Sequence, residues 1–436
     1  MQYLGLQNIR GGLVTLQNVP ASYDEIVNIV IDGQTPRTGR VVHIAGSSAT
    51  ALIFEGTSGM SLSNTATTFT GKVMEVGLSP ALLGRVFDGL GRPIDGMGNI
   101  KPEKKRAIAG IPTNPTKRIY PRNYIHTGIS AIDGLATLIR GQKLPIFTVD
   151  GLPHNQLAAQ IATQARIATH DGTNFAVVFA AMGAQHTTAE FFRRAFEESG
   201  TSDRTIMYLN LASDPPNERI ATPRFALTAA EYLAFDLGYH VLTILTDMTA
   251  YAEAVREISS AAGEIPSRKG YPGYLYSDLA TIYERAGIMK HSGGSLTQVP
   301  ILTMPGEDIT HPIPDLTGYI TEGQIVLERR LHGHGIYPPI NALPSLSRLM
   351  KDGIGEGYTT AAHPAIANRL FAAYAQVGDA RALASIIGED DMSEGDKKLL
   401  GFGQLFETQF IHQQTWESRG LEKTLEIAKE CLEVLD

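Results

Sequence analysis

Leu144-Pro145-Ile146-Phe147-Thr148-Val149-Asp150-Gly151-Leu152-Pro153-His154-Asn155 is the stretch that decides how this chain folds. A short apolar run passes through a glycine turn into residues 156–169, whose apolar spacing is that of an amphipathic helix. Strand, turn and helix are the frame of a phosphate-binding P-loop, but the Gly-Lys-Ser/Thr that supplies its chemistry is missing. A working loop needs glycine so that the backbone can wrap the phosphates, lysine to neutralise the β and γ oxygens, and a hydroxyl to ligate Mg²⁺. With Gly151 opening the degenerate tail, Pro153, His154 and Asn155 stand where Gly, Lys and Thr belong. Pro153 offers no amide hydrogen, and Asp150 brings negative charge to the place of a triphosphate. Gly151, His154 and Asn155 therefore predict a weak or empty site with no tightly bound nucleotide. An ordinary strand–turn–helix would give the same local pattern, so the rest of the chain has to decide.

On the C-terminal side, residues 175–180, 205–210 and 241–247 are near-continuous apolar strands separated by helical patterns, which predicts a mainly parallel sheet covered on both faces. On the N-terminal side, residues 12–16, 25–31, 40–44 and 49–54 are short, β-branched runs separated by turn residues, the pattern of a small β-barrel. Residues 84–96 are dense in Gly and Pro and read as a looped connection. Beyond residue 360 the period becomes helical, over 365–387, 394–410 and 421–435. The expected architecture is multidomain: a barrel over 1–72, an α/β domain over 73–355 and an α-helical domain over 356–436.

Composition narrows the function classes. With 436 residues, 43% apolar and 19% charged, the chain has material for two or three cored domains. One cysteine, Cys431, excludes an intrachain disulfide and a multi-cysteine metal site. The first residues lack the basic-then-apolar pattern of a signal peptide, and no run of 18 apolar residues suggests a membrane span. A net charge of −8 argues against nucleic-acid binding as the main role. The barrel region repeats that message, since residues 1–70 hold only Arg10, Arg37 and Arg40 as cations. Thr246-Asp247, at the end of an apolar strand, is where nucleotide-hydrolysing folds place a Mg²⁺-holding carboxylate. An aspartate capping the turn after the strand gives the same pattern.

Several segments then carry a resemblance. Gly151-Leu152-Pro153-His154-Asn155, Phe179-Ala180-Ala181-Met182-Gly183, Leu245-Thr246-Asp247-Met248-Thr249, Gly270-Tyr271-Pro272-Gly273-Tyr274 and the stretch from Ile313-Pro314-Asp315-Leu316-Thr317 to Gly323-Gln324 are five of them. With Tyr337-Pro338-Pro339-Ile340-Asn341-Ala342-Leu343-Pro344-Ser345-Leu346-Ser347-Arg348-Leu349-Met350, they resemble the B subunit of V-type and archaeal-type rotary ATPases over nearly the whole chain. The resemblance implies a RecA-like central domain and a ring of alternating catalytic A and non-catalytic, regulatory B subunits around a central stalk, with a peripheral stalk alongside. It implies ATP synthesis or hydrolysis coupled to H⁺ or Na⁺ transport. The subunit would be cytoplasmic and would meet the membrane only through the ion-translocating sector.

The resemblance also distributes roles. Catalytic relatives carry a Gly-Glu-Arg segment after the third core strand, whose Glu positions the attacking water; Met182-Gly183-Ala184-Gln185 puts Ala184 there. A methyl group neither orients nor deprotonates water, and a missing general base costs about 10²–10⁴-fold. Arg348 falls at the family's arginine-finger position, acting in trans on ATP or ADP with Mg²⁺ at the interface with the A subunit. Ser345 and Ser347 are expected beside that interface nucleotide.

Other residues invite plainer readings. His332 and His334 lack the carboxylate or cysteine neighbours of a metal site and are read as solvated or interface histidines. His311 reads as a turn histidine, and Lys101, Lys104, Lys105 and Arg106 as a solvated basic loop. Asp315, Tyr319 and Glu322 lie in a segment the family uses near subunit contacts. An autonomous NTPase would need an intact loop, and the only Gly-Lys pair, Gly71-Lys72, is followed by Val73 in the barrel region.

Overall fold

The computed structural model describes residues 2–110, 115–167 and 174–436. The N-terminal strands form a seven-stranded antiparallel sheet in the spatial order Gln2–Leu4, Thr65–Phe69, Ile26–Ile31, Arg37–Ala45, Ser48–Ile53, Leu13–Gln17, Asn8–Arg10. Alternation turns Val14, Leu16, Val27, Ile29 and Val41 into one buried core. The four expected strands are present, and Gln2–Leu4, Asn8–Arg10 and Thr65–Phe69, too short or too polar to stand out in the sequence, complete the barrel.

The central domain is built on a ten-stranded sheet whose main path runs Ile340–Ser347, Gly323–Leu327, Ile146–Thr148, Ser295–Thr303, His240–Thr246, Phe175–Ala184, Thr205–Leu211, Val86–Asp88. All neighbours on that path are parallel except the terminal pair, where Ile340–Ser347 returns antiparallel along Gly323–Leu327. Helices bury their apolar faces on both sides, and Ala176 to Ala181 are fully enclosed.

Three readings need correction here. Residues 84–96 are not all loop: Val86–Asp88 adds a strand beside Thr205–Leu211, and Asp88 then turns the chain by accepting the N–H groups of Leu90 and Arg92. The basic cluster is not a solvated loop either. Lys104–Ala107 is a strand paired with Glu75–Leu78, and Asp236 holds Lys104 at 2.7 Å and Arg106 at 2.9 Å. Finally, the helix after the degenerate loop is His154–Gln164, beginning earlier and ending sooner than 156–169. Ala165 is extended, and Arg166–Ile167 pairs instead with Ile125–His126; residues 168 and 169 lie outside the described residues.

The C-terminal helices are His363–Ile387, Glu394–Leu405 and Leu421–Glu433, with the middle one widening into a π-helical turn over Phe406–Ile411. Phe402, Phe406 and Phe410, four residues apart, stack down that element with centroids 5.7 and 5.2 Å apart. Glu407 turns inward and ties the domains together, accepting from Tyr374 at 2.7 Å, Arg381 at 2.8 Å and Arg330 of the central domain at 3.2 Å. Burial works to raise the Glu407 carboxyl's pKa, but these donors outweigh it and hold it below its ordinary value. No helix among the described residues is long and apolar enough to cross a membrane.

Candidate functional site

The degenerate loop follows Ile146–Thr148, the strand between Ser295–Thr303 and Gly323–Leu327. Gly151 turns the chain with φ of +84°, which a side chain would resist, and Pro153 caps the helix without any side-chain bond. The loop's own groups face one another. The His154 amide donates to the Leu152 carbonyl at 2.8 Å, so it is engaged locally instead of opening a cradle. Arg329 lies across the mouth, donating to the Asp150 carbonyl at 2.9 Å and pairing with Glu307 at 2.7 Å. Asn155 is half-buried at the start of the helix.

Where a P-loop would carry a permanent cation, this loop carries an imidazole kept neutral. Burial pushes the His154 pKa below its ordinary value, although the negative charges of Asp247 and Asp150 pull the other way. Asp247 turns out to be a capping residue. Its carboxylate accepts from the Thr249 N–H at 2.7 Å and from Thr303 through both hydroxyl, at 2.6 Å, and N–H, at 3.2 Å, fixing the start of the helix Met248–Ala262. Burial raises its pKa. These residues do not fit a Mg²⁺-nucleotide: Pro153 offers no amide hydrogen, the His154 amide is taken by Leu152, no lysine is present, and the carboxylate that would share the metal is occupied. Among the described residues no group of three or more His, Cys, Asp or Glu side chains is placed to hold a metal ion.

Ala184 ends the strand Phe175–Ala184, and its carbonyl accepts from the Ala212 N–H at 2.7 Å. The ground around it is filled by Arg219, which donates to Asn210 at 2.8 Å while Asn210 also accepts from the Gly183 N–H at 3.1 Å. Ala184 itself brings no carboxylate to the position.

The opposite edge of the sheet is arranged differently. Arg348 immediately follows the edge strand Ile340–Ser347, and its N–H donates to the Glu322 carbonyl at 2.9 Å. Its side chain is exposed and has no hydrogen-bond or ion-pair partner among the described residues. Gly323 pairs with Ser347, whereas the loop strand's Phe147 pairs with Val326, three residues further along. Roughly 10 Å of strand therefore lies between the levels of Ser347 and Phe147, and Arg348 lies one residue further still. The Arg348 backbone and the degenerate loop thus lie at opposite ends of the strand Gly323–Leu327.

Ser345 and Ser347, expected beside an interface nucleotide, are both buried, and their hydroxyls are engaged within the chain. Ser345 donates to the Asn341 carbonyl at 2.6 Å and accepts the Val326 N–H at 2.9 Å, bridging the irregularity between the last two strands. Ser347 meets the Gln142 side chain at 3.0 Å. Both hold the strand that carries Arg348. Of the remaining residues, His311 caps the helix Pro312–Ile320, and His332 and His334 are exposed. Tyr319 is 74% exposed, Asp315 pairs with Arg268, and Glu322 with Lys143. Sequence reading missed Gln142, Arg329 and Thr303, which owe their roles to pairings across more than fifty residues; Gln142, between Gly141 and Lys143, carries no local sign of its burial.

Comparison with known proteins assigns the class. Residues 6–71 match the beta-barrel domain of the ATP synthase alpha/beta family, residues 128–347 its nucleotide-binding domain, and residues 352–436 the C-terminal domain of V and A type ATP synthase. The chain is 58% identical to V-type ATP synthase beta chain 2 of Clostridium tetani, covering all of this chain and 95% of that one. It is also 58% identical to the V-type ATP synthase beta chain of Thermotoga neapolitana, covering all of this chain and 94% of that one. Among solved structures, the ATP synthase subunit NeqB from Nanoarcheaum equitans superposes with a TM-score of 0.77 at 40% identity, over 98% of this chain and 99% of that one. The chain belongs to the ATP synthase alpha/beta family, as a V-type beta chain, the B-type subunit.

Proposed function

We propose that this chain is the non-catalytic, regulatory B subunit of a V/A-type rotary ATP synthase or ATPase, and that it completes the catalytic site of a neighbouring A subunit with Arg348. ATP or ADP with Mg²⁺ would lie at that interface, in the partner's phosphate loop. The observation that carries this reading is the contrast in engagement. Arg348 is exposed, unpaired among the described residues and remote from the chain's own loop, while that loop is closed on itself and holds a neutral His154.

The chemistry asked of Arg348 is electrostatic. A guanidinium presented to the γ-phosphoryl group stabilises the charge that develops as the bond to the β-phosphate breaks. Such fingers contribute about 10³–10⁵ in rate, equivalent to roughly 4–7 kcal/mol of barrier. The absent loop lysine and Ala184 argue that the chain turns over no nucleotide at its own loop. Assembly into alternating A and B subunits with central and peripheral stalks, coupling to H⁺ or Na⁺ movement, and a cytoplasmic place at the membrane periphery complete the proposal.

The test is steady-state ATP hydrolysis by a ring reconstituted from this chain and its A-type partner, with assembly checked by native mass spectrometry. Arg348→Ala should lower kcat by about 10³-fold or more with the ring intact. Near-normal turnover would refute the finger.

A further inference from the structure

We propose that Gln142 is the positioning residue for Arg348, a role that rests on the reading of Arg348 as the trans-acting finger. Gln142 is completely buried and its amide is fully engaged. Its Oε1 accepts from the Ile139 N–H at 2.9 Å, and its Nε2 donates to the Glu322 carbonyl at 3.1 Å and reaches the Ser347 hydroxyl at 3.0 Å. The Glu322 carbonyl is the same one that accepts the Arg348 N–H at 2.9 Å. One glutamine amide thus grips both the residue before the finger and the carbonyl that anchors the finger's own backbone.

The surroundings make this grip stiff. Lys143, next in the chain, donates its N–H to the Glu322 carboxylate at 3.0 Å and its ammonium to the same group at 2.7 Å. Gly323 has φ of +131°, and a Cβ placed there would stand 1.9 Å from the Leu346 carbonyl oxygen, so the two strands cross closer than any side chain permits. Residues 346–348 are therefore pinned from 322–323, which are pinned in turn from 142–143. Because the Arg348 side chain has no partner of its own among the described residues, its aim is set by the backbone that Gln142 holds. A displacement of about 1 Å at a reacting centre costs on the order of 10²-fold.

The experiment is a double-mutant cycle in the reconstituted ring, reading kcat and KM for ATP per intact assembly. Gln142→Met keeps the side-chain length and removes the amide. It should lower kcat by about 10- to 100-fold while KM changes by less than about 3-fold, and in the Arg348→Ala background it should change kcat by less than about 2-fold. A packing role alone would lower the melting temperature and the yield of rings without moving kcat per ring. If Gln142→Met rings turn over normally while Arg348→Ala rings do not, the positioning role is refuted and the finger stands. If Gln142→Met reduces kcat by the same factor in both backgrounds, Gln142 acts independently of Arg348 and the inference fails. If Arg348→Ala rings turn over normally, the finger reading itself has failed. Should Gln142→Met rings not assemble, Ser347→Ala carries the same cycle, removing one group the amide grips while leaving its bond to Glu322. A drop of about 3- to 10-fold, absent in the Arg348→Ala background, supports the inference; no drop, or an equal drop in both backgrounds, overturns it.

Discussion

The loop after Ile146–Thr148 and the end of Ile340–Ser347 flank the same strand, Gly323–Leu327, yet they treat their polar groups in opposite ways. At the loop, the His154 amide turns to Leu152, Arg329 to Asp150 and Glu307, and Asp247 to Thr249 and Thr303. At the strand end the supporting groups are satisfied inside the chain, and the Arg348 side chain has no partner among the described residues. A fold can thus close one loop on itself while leaving a cation exposed at a neighbouring strand end. Two losses at the loop, the lysine and the hydroxyl, leave the sheet untouched because neither is part of the core. The support of the Arg348 backbone, by contrast, is built into the core itself.

The largest effect that would sharpen this comparison belongs to the shape of the cation at the strand end. Arg348→Lys keeps the charge but replaces a planar fork with a point charge, so kcat of the reconstituted ring should fall by about 10²-fold or more. A lysine ring turning over normally would mean that charge alone matters there. A smaller effect is expected at the loop. Restoring its chemistry with Pro153→Gly, His154→Lys and Asn155→Thr should tighten Mg-ATP binding to the isolated chain by about 10-fold or more by calorimetry, because an amide donor, a cation and a metal-binding hydroxyl return together. Ring turnover should stay within about 2-fold of wild type, since Ala184 still supplies no base. Tight Mg-ATP binding by the wild-type chain would break the comparison from the other side.

The smallest effect is electrostatic. His154 is held below its ordinary pKa by burial, so the unfolded chain takes up its proton first as the pH falls. Its contribution to stability is whole above about pH 6.5 and declines as the pH drops below that. Melting temperatures of His154→Gln should therefore fall less steeply than wild type between about pH 7 and 5. A steeper fall would show that the imidazole is charged in the folded loop.

Much of this was legible in the sequence. Near-continuous apolar strands separated by helices announced the parallel sheet, because burial on both faces leaves no room for alternation. The missing Lys and hydroxyl were visible as absences at fixed positions. Arg348 drew attention only through the distinctive Pro344-Ser345-Leu346-Ser347 segment before it, and the burial of Ser345 and Ser347 could not be foreseen, since an exposed and a buried hydroxyl look alike in sequence. The π-helical turn at Phe406–Ile411 and the strand Val86–Asp88 were hidden for a related reason. Both depend on tertiary partners, Arg330 with Arg381 for Glu407 and the strand Thr205–Leu211 for Val86–Asp88, that no local pattern contains. Gln142 is the extreme case, joined to Ser347 across 205 positions.

In the proposed role Arg348 acts on the transition state of the neighbouring site and not on nucleotide binding. The most direct measurement is the affinity of intact wild-type and Arg348→Ala rings for Mg-ADP alone and for Mg-ADP with aluminium fluoride, a mimic of the transferring phosphoryl group. We predict that Arg348→Ala weakens binding of the fluoride complex by about 10²-fold or more while Mg-ADP binding changes by less than about 3-fold. Equal weakening of both would assign Arg348 to ground-state binding, and no change in either would remove it from the site.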